Sequence, residues 1–463
     1  MYSFNLIISF TFILVVLVNA AAINPQACGN ENDILASDVL VAAPNGRIAA
    51  WVDQPNIRGT LDIIWTCLAT IFISTYTILC LNVPSRHDGW KNIFGRQLKW
   101  MCLAILGPEI VMTYAAGQWS RAHQSVEAFH EAGYQQWTLR LAFFADMGGF
   151  VLCPSQSESF PLNAKHVYWL VVNGHIEYRE VTAADIWDKS KQDTFTKAIT
   201  GFQMGYLVVQ CIGRVSQGLA ITTLELNTLA IVVCSLMTSY AWLHKPAGVR
   251  TPIKIHTKNT IAKITGLRTW RNTPLDFVDE NGPGWAINIQ PFMKMPVIPA
   301  ERPIQRIPND RFPMNPYGYQ EYLLCFATLL FAAIHVSGWN LAFPSRNEQL
   351  LWRIASMLLF CITAAFWILE TMASWKRLGR WRYLYKAFGR QRPPQENHKP
   401  TTESVETTPK VLPLPWEFWS IFPLALMYGV ARLYLIIEAF LELRNLEATA
   451  FVNVQWSNFI PHF

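Results

Sequence analysis

The chain has 463 residues, of which 51% are hydrophobic and 15% charged, and its mean hydropathy is +0.18. One soluble core of ordinary shape does not absorb that much apolar surface, so a polytopic membrane protein is the expected class. The formal net charge of +6 is small for this length, and the basic residues fall in a few loops between apolar runs, which excludes a separate nucleic-acid-binding domain. Nineteen tryptophans and an aromatic share of 13% fit a membrane protein, because indole and phenol rings settle at membrane interfaces.

The first twenty residues, MYSFNLIISFTFILVVLVNA, are apolar and end in small residues, as a signal peptide cut near Ala20 does. A polar lumenal leader is expected over 21–60. Apolar runs long enough to span follow at about 61–83, 99–119, 200–219, 220–243, 322–343, 350–372 and 416–440. An eighth, shorter run at 137–153 contains FFADMGGFVLC and Asp146.

Loop charge decides how that run is read. The loops 84–99, 244–321 and 373–412 are all rich in Lys and Arg, which places them together on the cytoplasmic side. The chain must then cross an even number of times between the first and second loops, and only three clear spans lie there. Counting the Asp146 run as the fourth predicts an all-α, polytopic membrane bundle of about eight transmembrane helices over 61–443. Both mature ends are lumenal, with a lumenal tail over 444–463. A small cytoplasmic β-hairpin and helix element is expected between spans three and four. HVYWLVVNGHIEYREV places apolar runs on both sides of Asn173-Gly174, a two-residue hairpin signal, and VTAADIWDKSKQD reads as a helix start. The polar stretch QRPPQENHKPTTESVETTPK reads as a linker.

The nine cysteines show no CxxC and no Cys/His zinc spacing. Cys28 and Cys153 fall on opposite sides of this topology, so no disulfide joins them. HEAGY lacks the second His of a zincin, and there is no phosphate loop, no GxSxG elbow and no aspartate cluster for magnesium. No cofactor is expected.

Ionisable side chains at membrane depth cost about 2.5–3.5 kcal/mol on insertion scales, so each calls for a partner or a task. Glu109 and Asp146 are placed at the same depth on adjacent antiparallel spans, with Pro108 and Gly148-Gly149 loosening the backbone beside them. Each either pairs with a buried base, for which Arg432 is the candidate, or stays protonated in its apolar site as a proton donor. Arg214 and Glu225 flank the turn at Gly218 and read as an ion pair or as the lining of a polar cavity. His335, at mid-depth, reads as a satisfied core histidine or a base. Glu438 and Glu442 lie near the lumenal exit of the last span.

GTLDIIWTCLATIF, KWMCLAILGPEIV, FFADMGGFVL, ADIWDKSKQDTFTKAIT, ITTLELNTLA and WLHKPAGVRTP resemble a large group of fungal multi-pass proteins. A few of its members are the membrane-bound terpene cyclases of meroterpenoid pathways, of the macrophorin, ascochlorin and ascofuranone type. The resemblance runs from about Arg58 to the C-terminus. It implies eight helices, no metal, and cyclisation of the farnesyl chain of a lipophilic prenylated substrate by protonation of a terminal alkene or epoxide. It also implies the donor role for Glu109 or Asp146, and the chain is expected in the endoplasmic reticulum or another endomembrane. A proton-coupled transporter or receptor using the same acids is the alternative. A membrane scaffold that binds a cytosolic partner through Val167 to Asp193 is a third.

Overall fold

The computed structural model describes residues 47–48, 51–52, 57–155, 157–178, 186, 194–265, 270, 272–278, 301–309, 319–377 and 415–456. The expected signal peptide, the helix from VTAADIWDKSKQD except Ile186, and the linker at 391–410 lie outside these residues. The protein is mostly helical.

In chain order the elements are β1 (Arg47–Ile48), α1 (Thr60–Ile78), α2 (Trp90–Leu106), α3 (Pro108–Glu131), α4 (Leu139–Asp146), β2 (Phe150–Pro154), β3 (Phe160–Leu162) and α5 (Ala164–Val172). They continue with α6 (Thr194–Ser216), α7 (Thr223–Ala241), β4 (Ile253–Thr257), α8 (Ile261–Thr265), α9 (Tyr319–Ser337), α10 (Arg346–Arg377), α11 (Pro415–Leu441) and β5 (Leu446–Glu447). Among the described residues, five helices are long and apolar enough to cross a membrane: α1, α7, α9, α10 and α11. The number rises to six if the bent pair α2–α3 is counted as one span.

Helix α7 is the centre of the bundle. Its side chains are buried almost all round, and α1, α3, α6, α9 and α11 pack against it. The outer helices bury one face and turn Trp65 and Phe72 of α1, Leu350 and Ile354 of α10, and Leu426 and Val430 of α11 outward. An exposed apolar surface of this extent marks contact with lipid or another protein.

Among the described residues α1, α6, α7, α9, α10 and α11 run from one end of the bundle to the other, and the two ends are distinct. At the terminal face β1 pairs antiparallel with β5, so the segments before α1 and after α11 meet there. Arg58 reaches Glu225 at the start of α7 at 2.6 Å, and Glu442, just past α11, accepts from Thr223 N at 2.7 Å and Oγ1 at 2.5 Å. Arg214, at the end of α6, donates to the carbonyls of Ala220, Thr449, Ala450 and Val452. At the opposite, sheet face, β2 lies between β3, antiparallel, and β4, parallel. Val83 N donates to Met147 O at 2.9 Å, tying the far end of α1 to this sheet. Helices α6, α9 and α11 thus run toward the terminal face and α1, α7 and α10 away from it.

Two expected elements take another form. The Asp146 run is not a span. It is the eight-residue helix α4, stopped by Gly148 in the left-handed region (φ +83) with Gly149 N on Phe144 O at 2.8 Å, and then strand β2. A Cβ on Gly149 would stand 2.5 Å from the Phe144 ring and carbonyl, so these glycines end a helix and do not loosen one. The run is apolar because it fills the core under the sheet: Phe143, Phe144 and Leu152 are buried. The expected second span is also divided, into α2 and α3, which bend by 112° at Gly107. Between the basic loops 84–99 and 244–321, among the described residues, α7 is long and apolar enough to cross a membrane by itself and the bent pair α2–α3 is a second candidate.

The Asn173-Gly174 signal marks a helix stop. Asn163 caps α5 by accepting from His166 N at 2.8 Å, and at the other end Gly174 (φ +68) follows Asn173, with His175 N on Leu170 O at 2.9 Å. A hairpin turn and a helix C-cap both need positive φ, and Asn-Gly serves either.

Both Arg58 and Glu225 are buried, and breaking such a pair strands a charge at a cost of about 3–5 kcal/mol. Glu225→Gln is expected to lower stability by that amount in detergent-phase denaturation. The double change Arg58→Met, Glu225→Leu recovers part of the loss. A Glu225→Gln variant that melts with the parent would refute the assignment.

Candidate functional site

The break between α2 and α3 carries the most unusual chemistry in the bundle. A helix that ends inside a protein leaves carbonyls at one terminus and N–H groups at the other without intrahelical partners. Here Arg432 Nη2 donates to Ile105 O, in the last turn of α2, at 3.3 Å, and Glu109 occupies the first turn of α3 after Pro108. Cation at a helix C-terminus and acid at a helix N-terminus both complement the helix dipole. Pro108 suits the first helical position because its missing N–H has no partner to lose there.

Glu109 is buried. Its Oε1 accepts from the Tyr428 hydroxyl, and its Oε2 is buried without a partner. Tyr428 stands thirteen residues from either end of α11, so the carboxyl group lies near the middle of the bundle. One turn along α11, Arg432 is fully buried. It donates to Asn227 Oδ1 at 3.0 Å and to His335 Nε2, and its guanidinium stacks over Phe331 at 5.2 Å. Guanidinium is donor-only, so His335 Nε2 accepts and Nδ1–H donates to Phe331 O at 3.1 Å. The imidazole lone pair is therefore occupied, the arrangement of a satisfied core histidine. Asn227 completes the cluster by donating to Thr223 O and Leu435 O.

The structure brings Glu109, Arg432 and His335 together and sets the other expected residues apart. Asp146 is at the sheet face, partly exposed, where its Oδ1 accepts from Ala164 N at 3.0 Å and anchors the start of α5. It is neither at mid-depth nor beside Glu109. Arg214 and Glu225 share the terminal face, but Glu225 pairs with Arg58 and Arg214 clamps the chain after α11. Arg432 makes no ion pair with either acid among the described residues.

Tyr428 and Asn227 are site residues that the charge-based reading passed over. Tyr428 precedes Arg432 by four, the spacing that puts two side chains on one helix face, and Asn227 is a polar residue one turn inside an apolar helix. Beside the break, Thr75, Ile78, Ala104, Pro108, Ser235 and Thr238 line a cleft of about 10 Å³, the room of roughly one water. A cavity of about 270 Å³ opens at the terminal face between Leu219, Thr222, Leu341, Glu442 and Leu446. Among the described residues no three His, Cys, Asp or Glu side chains converge to hold a metal.

A second buried polar group sits where α7 ends at the sheet face. Lys245 donates to Gln118 Oε1 at 2.8 Å, sharing that oxygen with Trp242 Nε1 at 3.0 Å. Its ammonium lies 4.7 Å from the Trp242 ring centroid. Burial pushes the amine down to about 8.

This is a helical protein with apolar helices of membrane length and a buried acid at the break of a bent pair. The chain belongs to a family of unknown function (DUF8562), matched over residues 34–280 and 320–463. No curated protein and no solved structure matches it.

Lys245 yields a test of this geometry. Between pH 8 and 10.5 the folded amine is largely neutral while the unfolded one, with its ordinary value of 10.5, still holds its proton. The unfolded state binds more protons there, so stability rises with pH across that window. Unfolding midpoints measured from pH 7.5 to 10 should climb for the parent relative to Lys245→Met, and parallel curves would contradict the assignment.

Proposed function

We propose that the protein is an integral membrane terpene cyclase in which Glu109 delivers the proton that starts cyclisation of a prenyl chain. The observation that carries the reading is the Glu109 carboxyl group itself. It lies near the middle of an apolar bundle, one oxygen held by Tyr428 and the other free, with the only cation described beside it engaged by Asn227, His335 and a helix end. A proton on Oε2 passes to the CH carbon of the terminal alkene, leaving a tertiary cation on the dimethyl carbon, or to the oxygen of a terminal epoxide, whose C–O bond to that carbon then breaks. The cation moves along the chain as carbon–carbon bonds form, and return of a proton from a neighbouring carbon to the Glu109 carboxylate restores the acid and closes the reaction without net oxidation. Tyr428, bonded to the acid, fixes which oxygen carries the proton. Excluding water is essential because water would quench the cation.

In this reading six helices cross the bilayer: α1, α6, α7, α9, α10 and α11. The sheet face and the basic loops are cytoplasmic, and the ends of the chain are lumenal in an endomembrane. The resemblance to the meroterpenoid cyclases supports a farnesylated ring compound as substrate. Proton-coupled transport is the second reading, favoured by the α2–α3 break, because transporters place coupling sites at interrupted helices.

Microsomes containing the protein, supplied with a farnesylated quinone-type substrate or its terminal epoxide and EDTA, should form cyclised product. General-acid catalysis contributes about 10²- to 10⁴-fold, so Glu109→Gln should lose about that much, while Asp146→Asn keeps activity within a few fold. Unchanged turnover in Glu109→Gln rules out the donor assignment. Proton flux into vesicles that depends on Glu109, with no cyclised product, selects transport.

A further inference from the structure

Helix α2 divides its circumference into three sectors. With each residue advancing by about 100°, Trp100 and Ala104, the buried residues, lie together and face the bundle. Next to them Trp90, Phe94 and Leu98 fall in an arc of about 80° and are 73%, 57% and 44% exposed. The third sector is polar from Lys91 to Lys99, where Lys91, Asn92, Gly95 and Lys99 are exposed and Arg96 is tied to Asp88 at 2.8 Å. It turns apolar in the last turns at Cys102, Leu103 and Leu106. The helix is therefore amphipathic twice over, with one apolar face used against the protein and an adjoining one left open.

Its direction matters as much as its faces. At 17 residues it is about 25 Å long, and bent 112° from α3 it advances only about 9 Å along the α3 axis. It travels mainly sideways, at the level between the sheet face and Glu109. Over residues 84–106, Arg86, Lys91, Arg96 and Lys99 face a single acid, Asp88, and Arg86, His87, Lys91 and Lys99 are exposed.

We propose that α2 is an interfacial helix that docks on the anionic leaflet of the membrane, its Trp90–Phe94–Leu98 ridge in the acyl boundary and its Lys91, Lys99 and Arg86 side chains on acidic phospholipid headgroups. An apolar ridge bordered by a basic stripe is the pattern of such helices. A second copy of this chain is a poorer occupant, because a two-fold contact would set like charges against each other. The inference rests on the membrane setting of the chain and not on the reaction proposed for Glu109.

The test uses the full chain in a neutral maltoside detergent, with melting followed after adding phosphatidylserine or phosphatidylcholine. Phosphatidylserine should raise the midpoint further than phosphatidylcholine by several degrees, and the excess should fall as salt rises. Lys91→Gln with Lys99→Gln should remove the excess and leave the lipid-free midpoint unchanged, whereas Trp90→Ser with Phe94→Ser should blunt the response to both lipids. Equal responses to the two lipids, or an undiminished excess in the lysine double variant, overturn the proposal. So does a particle of two chains cross-linked through the exposed Cys102. None of these outcomes depends on cyclase activity.

Discussion

A guanidinium buried in an apolar bundle must find its partners inside the protein, and Arg432 is that constraint here, with Nη1 and Nη2 bonded and Nε without a partner. Its donors reach Ile105 of α2, Asn227 of α7 and His335 of α9, so a single side chain of α11 holds four helices in register. Each partner is a group that the local backbone already had to satisfy. Ile105 lies in the last turn before a break, Asn227 is anchored to carbonyls of α7 and α11, and His335 returns its other nitrogen to its own helix. Removing any one would strand a polar atom where water is scarce.

The break at Gly107 follows from that arrangement. A helix interrupted inside a bundle survives only where its free ends are met, and Arg432 and the Glu109 first turn meet them. The carboxyl group is consequently fixed by backbone geometry as well as by Tyr428, the preorganisation that the proposed donor role requires. The terminal face is a separate clamp. Arg58, Arg214 and Glu442 join the segments before α1 and after α11 to the turn between α6 and α7, while the two glutamates sit at the N-terminus of α7, whose N–H groups favour negative charge.

Glu109 stood out from the sequence because an acid in KWMCLAILGPEIV has few innocent explanations, and Arg432 did so for the same reason. Asp146 looked equivalent because a run of apolar residues reads alike whether it crosses lipid or fills a core beneath a sheet. Gly148-Gly149 then decided the matter locally, stopping α4 after eight residues. The Arg214–Glu225 pairing failed differently. Proximity along the chain suggested it, but Arg58, 167 residues before Glu225, closes on that carboxylate once β1 meets β5.

The presence of several apolar helices of membrane length was a property of residue type and order, since hydropathy acts along the chain. Tertiary structure alone decided how many runs traverse the bundle. It also decided which acid lies at its centre and which cation leaves that acid's second oxygen free. Those outcomes depend on where helices break and what meets their ends, and such contacts join residues hundreds of positions apart, as Tyr428 meets Glu109.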